Sequence, residues 1–282
     1  MSGILVTGAG GMLGRDVMRA ATRAGVEAHG LSRSELDITD RSAVDSAIGE
    51  LQPDSIVNCA AWTDVDGAEE HEAEALEING HGAAVLAEAG PRLIHVSTDY
   101  VFPGDKNTAW TEDDPVAPQS AYGRTKLAGE QAVSSADPGH AIVRTAWLFG
   151  TDGNNFVETM LKLAADRGAV SVVDDQRGCP TFTAHLADAL IEIAAGRAAG
   201  GVHHCAGAGE TTWFGFAKEI FERTGTPCDL TPTTSEAFVR PAKRPANSVL
   251  AVTRPDTPRL PDWRDGLDDY IAARAVAAGG NQ

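Results

Sequence analysis

The chain has 282 residues, 43% hydrophobic and 22% charged, enough apolar material for one α/β domain with an extension. Its 40 acidic against 23 basic residues leave a formal charge of -17. That balance repels nucleic acid and anionic membranes, so a general nucleic-acid role is excluded and any anionic ligand must be met by local donors.

In chain order, residues 4–7 form a short β-branched run, followed by a glycine-rich turn and then Met12, Leu13, Val17, Met18 and Ala21 at helical spacing. Residues 26–31 read as a second strand, Asp40 as the N-cap of a helix ending near Leu51, and residues 55–58 as a third strand. A helical stretch over 66–88, a fourth strand over 92–97, a helix over 121–134 and a fifth strand over 141–144 follow. Nearly continuous apolar strands alternating with helices predict an α/β fold, a doubly wound parallel (Rossmann) sheet with ligands at the strand carboxyl ends.

Beyond Gly150 the rhythm loosens. Helices are expected over 156–166, 185–195, 213–223 and 265–276, a strand over 201–205, and Pro-interrupted extended loops rather than sheet between Thr226 and Pro261. Residues 1–150 are therefore expected to form the dinucleotide-binding domain. Residues 151–282 are expected to form mainly a smaller mixed C-terminal substrate lobe, some of whose elements return to the sheet. The Ala/Gly-rich end from Ala272 is expected to fray. The first residues carry no basic region followed by a long apolar segment, and no stretch approaches the roughly 18 apolar residues of a membrane span. Cys59, Cys179, Cys205 and Cys228 are scattered with no C-x-x-C pair. The expectation is a reduced, soluble cytoplasmic protein without membrane partners.

Gly8, Gly11 and Gly14 lie at spacing three directly after the first strand and directly before an amphipathic helix. Gly8 permits the tight turn, Gly11 the close approach of a pyrophosphate and Gly14 close helix packing, while helix N-terminal amides hold the phosphates. At the end of the second strand an acidic residue would bond both ribose hydroxyls and disfavour a 2′-phosphate. None occurs before Glu35, and Ser32 and Arg33 are placed to bind that phosphate. NADPH is expected to be preferred, with NADH possible; a solvated surface charge is the alternative for Arg33. Asp37 and Ile38 are placed to reach the adenine.

Tyr122 and Lys126 stand four apart in a predicted helix and so face one side, one turn apart. With 3 tyrosines and five lysines in the chain, such a pair arises by chance in roughly one chain in twenty. Thr98 and Asp99 stand at the carboxyl end of the fourth strand, where a doubly wound sheet places its chemistry. A hydride delivered to a ketone leaves negative charge on oxygen, which needs a proton donor. A phenol beside an ammonium supplies one, its pKa lowered by roughly 1–3 units. Thr98 would orient the substrate oxygen, Lys126 would also grip the nicotinamide ribose, and Asp99 would position a sugar hydroxyl.

These residues resemble a known family. Ser97-Thr98-Asp99-Tyr100-Val101-Phe102, Tyr122-Gly123-Arg124-Thr125-Lys126-Leu127-Ala128-Gly129-Glu130 and Arg144-Thr145-Ala146-Trp147-Leu148-Phe149-Gly150 resemble the dTDP-4-dehydrorhamnose reductases, which are extended short-chain reductases. So do Leu36-Asp37-Ile38-Thr39-Asp40, the stretch from Asn58 to Asp66, Asp175-Gln176-Arg177-Gly178-Cys179-Pro180-Thr181 and Arg244-Pro245-Ala246-Asn247-Ser248. The resemblance implies reduction of the 4-keto group of dTDP-4-dehydro-L-rhamnose, with Thr98, Tyr122 and Lys126 as the catalytic trio. It implies Gly11, Met12 and Leu13 at the phosphates, Ala61, Trp62 and Thr63 along the cofactor, and Thr98, Asp99 and Trp147 at the deoxysugar, where the Trp147 indole would stack.

Some members of that family dimerise through magnesium held by acidic residues near the C-terminus. The Ala-rich end here offers few such ligands, so no metal is expected, and the chain is expected to be a monomer or homodimer. Asn154 and Asn155 either reach the nucleotide or make a turn. Arg240 and Arg244 either meet the substrate diphosphate or are solvated. His203 and His204 have no carboxylate at ligand spacing. Two further functions stay open: a 4-ketoreductase for another dTDP-deoxysugar, and a non-enzymatic dinucleotide-binding regulatory subunit.

Overall fold

A computed structural model describes residues 3–279. β1 (Ile4–Thr7) leads through the glycine turn to α1 (Met12–Ala24), β2 (Ala28–Leu31) to α2 (Arg41–Leu51), and β3 (Ser55–Asn58) to α3 (Gly67–Glu70) and α4 (Glu72–Leu76). A π turn, Glu77–His81, and α5 (Gly82–Ala87) precede β4 (Arg92–Thr98), a 3-10 turn (Asp99–Val101), α6 (Ala121–Ala136) and β5 (Ala141–Thr145). Next come β6 (Leu148–Phe149), α7 (Phe156–Arg167), β7 (Ala169–Val173), β8 (Arg177–Gly178), β9 (Thr181–Phe182), α8 (Thr183–Ala194) and β10 (Gly201–His204). The chain closes with β11 (Thr211–Thr212), α9 (Trp213–Thr224), β12 (Asp229–Thr233) and α10 (Trp263–Gly279).

Six strands form one sheet in the order β10-β5-β4-β3-β1-β2, every pair parallel. The chain leaves β1 for β2 at one edge and comes back to β3 on the other side of β1. The order therefore reverses between β1 and β3, and a crevice opens beyond Thr7 and Asn58. Alternating strand residues divide the core. Ile4, Val6, Val57, Ile94 and Val143 pack with Val17 and Ala21 of α1 and Leu186 and Leu190 of α8. Leu5, Ile56, Leu93 and Ile142 pack from the other face with Val44 of α2, Leu86 of α5 and Val133 of α6. Burial on both faces is why these strands are apolar throughout. A separate, aromatic-rich cluster (Phe149, Phe182, Phe216, Trp263, Tyr270) joins α7, α9 and α10.

Asp40 caps α2 as expected, accepting from Ser42 N and Ala43 N. The stretch 66–88 is helical as expected, over 67–87, but broken where His71 leaves helical geometry at φ -126 and by the π turn after α4. Two expectations need correction. The region between Thr226 and Pro261 is not all loop, because β12 pairs in parallel with β7; Pro232 is tolerated at the edge of a two-stranded sheet. The end expected to fray from Ala272 is helical through Gly279, and positions 280–282 of that expectation lie outside the described residues. Among the described residues no helix is long and apolar enough to cross a membrane.

Candidate active site

At the crevice the glycine turn has the geometry a phosphate needs. Gly8 has φ +66, and a Cβ there would lie 2.7 Å from Ala60 N, so this turn threads against the chain leaving β3. A Cβ on Gly14 would collide with the Gly8 carbonyl, whereas one on Gly11 would meet only Gly8 O, at 3.3 Å. Side chains cap α2, α6, α7 and α9, whereas α1 and α8 have neither a side-chain cap nor an acid in the first turn, and of these two it is α1, with Gly11 at its cap, that follows the glycine turn. The uncapped amides at Met12 and Leu13, with the positive end of the helix dipole behind them, form an anion site on an otherwise acidic protein. Leu13 is buried in the core, so it can contribute only its backbone.

Ala9 N donates to Leu31 O at 3.1 Å, tying the glycine turn to the end of β2. There Glu35 folds back, its Oε2 accepting from Ser32 N at 2.8 Å and from Ser32 Oγ at 2.6 Å. Arg33 is exposed beside them. Asp37 is exposed and held below the usual carboxylate range chiefly by the Thr39 N–H and hydroxyl. Ile38 turns its side chain into the core under Gly82.

After β3, Trp62 N donates to Asn79 Oδ1 at 2.9 Å, and Asn79 Nδ2 donates to Trp62 O at 3.2 Å and to Thr125 Oγ1 at 3.0 Å. Asn79 sits in the π turn, a device frequent at functional sites. It fixes the segment carrying Ala61, Trp62 and Thr63 to α6 at the residue before Lys126.

The structure brings Thr98, Asp99 and Tyr122 together at the mouth of β4. Ser120 caps α6 by accepting from Gly123 N, which sets Tyr122 in the first turn. Its ring lies edge-on to that of Tyr100, 5.7 Å between centroids, in the turn that follows Thr98, and Thr98 Oγ1 donates to Asp99 Oδ1 at 3.0 Å. One turn on, the buried Lys126 Nζ donates to Val96 O at 2.7 Å and lies 3.5 Å from His95 Nε2. Burial pushes the phenol of Tyr122 up to about 12, against the opposing effect of the Thr98 side chain, with Asp99 adding to the rise. Burial holds Lys126 down at about 8, against Glu130 and Cys59. The acidified phenol expected from the Tyr/Lys spacing is thus not what this structure holds: the amine reaches back to the strand, and desolvation dominates. Asp99 is buried, its Oδ2 has no partner, and burial raises its carboxyl to about 6 against hydrogen bonds from Ser248 and Thr98.

Trp147 adopts a left-handed backbone, φ 48, and its indole lies face to face on Trp213 at 3.5 Å and 5°. One face expected for the sugar is therefore already covered. Arg244 is not solvated: it forms a bidentate pair with Asp66, and Arg240 lies 3.7 Å from the same carboxylate. Asn155 is buried as the N-cap of α7, while Asn154 is exposed. His203 and His204 bond Thr257 Oγ1 and the Ala251 carbonyl. Among the described residues no cluster of three or more His, Cys, Asp or Glu could hold a metal.

Sequence reasoning missed Asn79, Ser248, Trp213 and the buried pair Glu130–Arg144. Arg144 grips Glu130 through Nε at 2.9 Å and Nη2 at 2.6 Å, and Ser97 Oγ donates to the same carboxylate at 2.6 Å. Glu130 and Ser248 lie within quoted motifs, yet nothing local to those strings shows that they meet Arg144 and Asp99.

A parallel sheet that offers phosphate amides at one strand end and a phenol–hydroxyl pair at another has what carbonyl reduction beside a bound dinucleotide requires. The class so defined is the short-chain dehydrogenase/reductases. The RmlD substrate binding domain family matches residues 1–276. A dTDP-4-dehydrorhamnose reductase of Streptomyces griseus is 47% identical, covering 98% of this chain and 95% of its own. A probable dTDP-4,6-dihydroxy-2-methyloxan-3-one 4-ketoreductase of Streptomyces antibioticus is 46% identical over 95% of this chain and 96% of its own. The dTDP-4-dehydrorhamnose reductase of Bacillus anthracis, crystallised in complex with NADP, is 35% identical and superposes with a TM-score of 0.92 over 96% of this chain and 99% of that one. The chain belongs to the RmlD family of dTDP-4-dehydrorhamnose reductases, and it is an oxidoreductase.

Proposed function

We propose that this protein reduces the 4-keto group of dTDP-4-dehydro-L-rhamnose to give dTDP-L-rhamnose, taking NADPH in preference to NADH. The observation that carries the reading is the placement of Tyr122 and Lys126 one turn apart on α6, at the end of β4 that carries Thr98, in a sheet whose glycine turn presents uncapped amides. Residues 1–150 would serve mainly the dinucleotide and residues 151–282 mainly the sugar nucleotide, in a cytoplasmic monomer or homodimer. Gly8, Gly11, Met12, Leu13 and Gly14 would seat the pyrophosphate. Arg33, Asp37 and the backbone of Ile38 would line the adenosine, and Ala61, Trp62, Thr63, Tyr122 and Lys126 the nicotinamide half. The coenzyme supplies the hydride.

Tyr122 gives its phenolic proton to the ketone oxygen as the C4–H bond forms, so the carbonyl becomes an alcohol and the phenolate regains a proton from solvent. Thr98 orients that oxygen and relays the hydrogen bond to Asp99. Lys126 must turn from Val96 O toward the phenol and ribose to stabilise the phenolate. The test follows loss of NADPH absorbance with enzymatically generated dTDP-4-dehydro-L-rhamnose. Tyr122→Phe should lower kcat by on the order of 10²–10⁴ with coenzyme binding retained; near-normal turnover would overturn the reading.

A second reading, reduction of another dTDP-4-keto-deoxysugar, is favoured by the similarity to the Streptomyces antibioticus 4-ketoreductase. Comparing kcat/KM for the two keto sugars decides between them.

A further inference from the structure

The end of β2 holds an arrangement that neither glycine spacing nor the Tyr/Lys pair anticipates. Ser32 lies against the glycine turn, since a Cβ on Gly10 would come 3.5 Å from Ser32 Cβ. A dinucleotide seated on α1 runs its adenosine ribose toward this strand end. Ser32 offers two donors there, its N–H and its hydroxyl, and both are taken by one oxygen of Glu35. Ser34 Oγ lies 3.0 Å from Ser32 Oγ. Arg33, between these serines, is the cation of the group, and its charge is felt by Asp37.

We propose that Glu35 sets the ratio in which this chain accepts coenzymes with and without a 2′-phosphate. The inference rests on the dinucleotide reading above. A ribose with a free 2′-hydroxyl can donate to the Glu35 carboxylate while both Ser32 donors stay engaged, so NADH binds without rearrangement. A 2′-phosphate needs those same donors. It meets a carboxylate already holding them, and must displace it toward solvent before Arg33 and Ser32 can take the phosphate. The Ser32 N–H and hydroxyl hold the Glu35 carboxyl below the usual carboxylate range, so it is charged at neutral pH. Arg33 favours the phosphate and Glu35 opposes it, which keeps both coenzymes in use.

The test is direct binding of NADP+ and NAD+ to the purified protein by titration calorimetry, alongside kcat/KM for NADPH and NADH. Glu35→Gln keeps an acceptor for Ser32 but removes the charge, and should raise the preference for NADP+ over NAD+ by about tenfold. Glu35→Ala frees the Ser32 donors and should do at least as much. Arg33→Ala should move the ratio about as far in the opposite direction. Both Glu35 variants lie on an exposed turn, so folding is not at stake. A ratio within about twofold of wild type in both, or one that falls, overturns the proposal. Wild-type protein that binds neither dinucleotide overturns the coenzyme reading itself.

Discussion

Replacing Asp99 by an asparagine tests the energetics of the site without disturbing its shape. The carboxyl is buried, one of its oxygens has no partner, and burial raises it from its ordinary 3.8 to about 6. Because the folded protein holds this proton more tightly than the unfolded chain, the carboxyl's contribution is fully present below about pH 4 and is lost as pH rises through about 6. At 1.36 kcal/mol per pH unit, the loss between about pH 4 and pH 7 comes to ~2–3 kcal/mol. The amide of the variant cannot titrate and loses nothing over that interval. Urea unfolding of both proteins across this range should show wild type falling by that amount relative to Asp99→Asn, whatever fixed offset the buried amide introduces. Parallel stability curves would refute the argument. The wild-type loss is the cost of keeping an ionised acceptor beside the reacting oxygen, and the variant should be the poorer enzyme.

Glu130→Gln should destabilise the fold by ~3 kcal/mol, because Arg144 would remain buried without its anion. Chemical denaturation should also show the Glu130→Gln, Arg144→Met double variant recovering most of that loss, and a single-variant loss below about 1 kcal/mol contradicts the reasoning. Trp213→Leu removes the ring against which Trp147 is stacked and should raise KM for the sugar nucleotide roughly three- to tenfold while leaving the coenzyme Kd in place. An unchanged sugar KM would mean that Trp147 does not depend on its neighbour.

Much of the sheet was legible because each signal is local. Ile4–Thr7 followed by glycines, Asp40 ahead of α2, and apolar runs at 55–58 and 92–97 all announce themselves within a few residues. The same holds for Tyr122 and Lys126, whose spacing alone puts them on one face of α6. What failed was environmental. Spacing says that an amine and a phenol are neighbours, but the Val96 carbonyl and the dryness of the pocket decide which way the amine turns and whether the phenol gives up its proton. Glu35 was discounted because it lies beyond the strand end, yet the turn brings its carboxylate back to the Ser32 amide. Ser248 meets Asp99 from the far end of the sequence, a separation over which no periodicity carries information.

The path of the chain through its sheet has a practical consequence for engineering. β10, which forms the edge beside β5, and α8, which covers α1, both come from the second half of the sequence. A fragment cut at position 150 would expose the β5 edge and strip one helical cover from the central strands. Chimaeras that exchange sugar specificity between relatives must therefore graft loops such as the one carrying Trp147, and leave residues 183–204 with the parent that supplies the glycine turn.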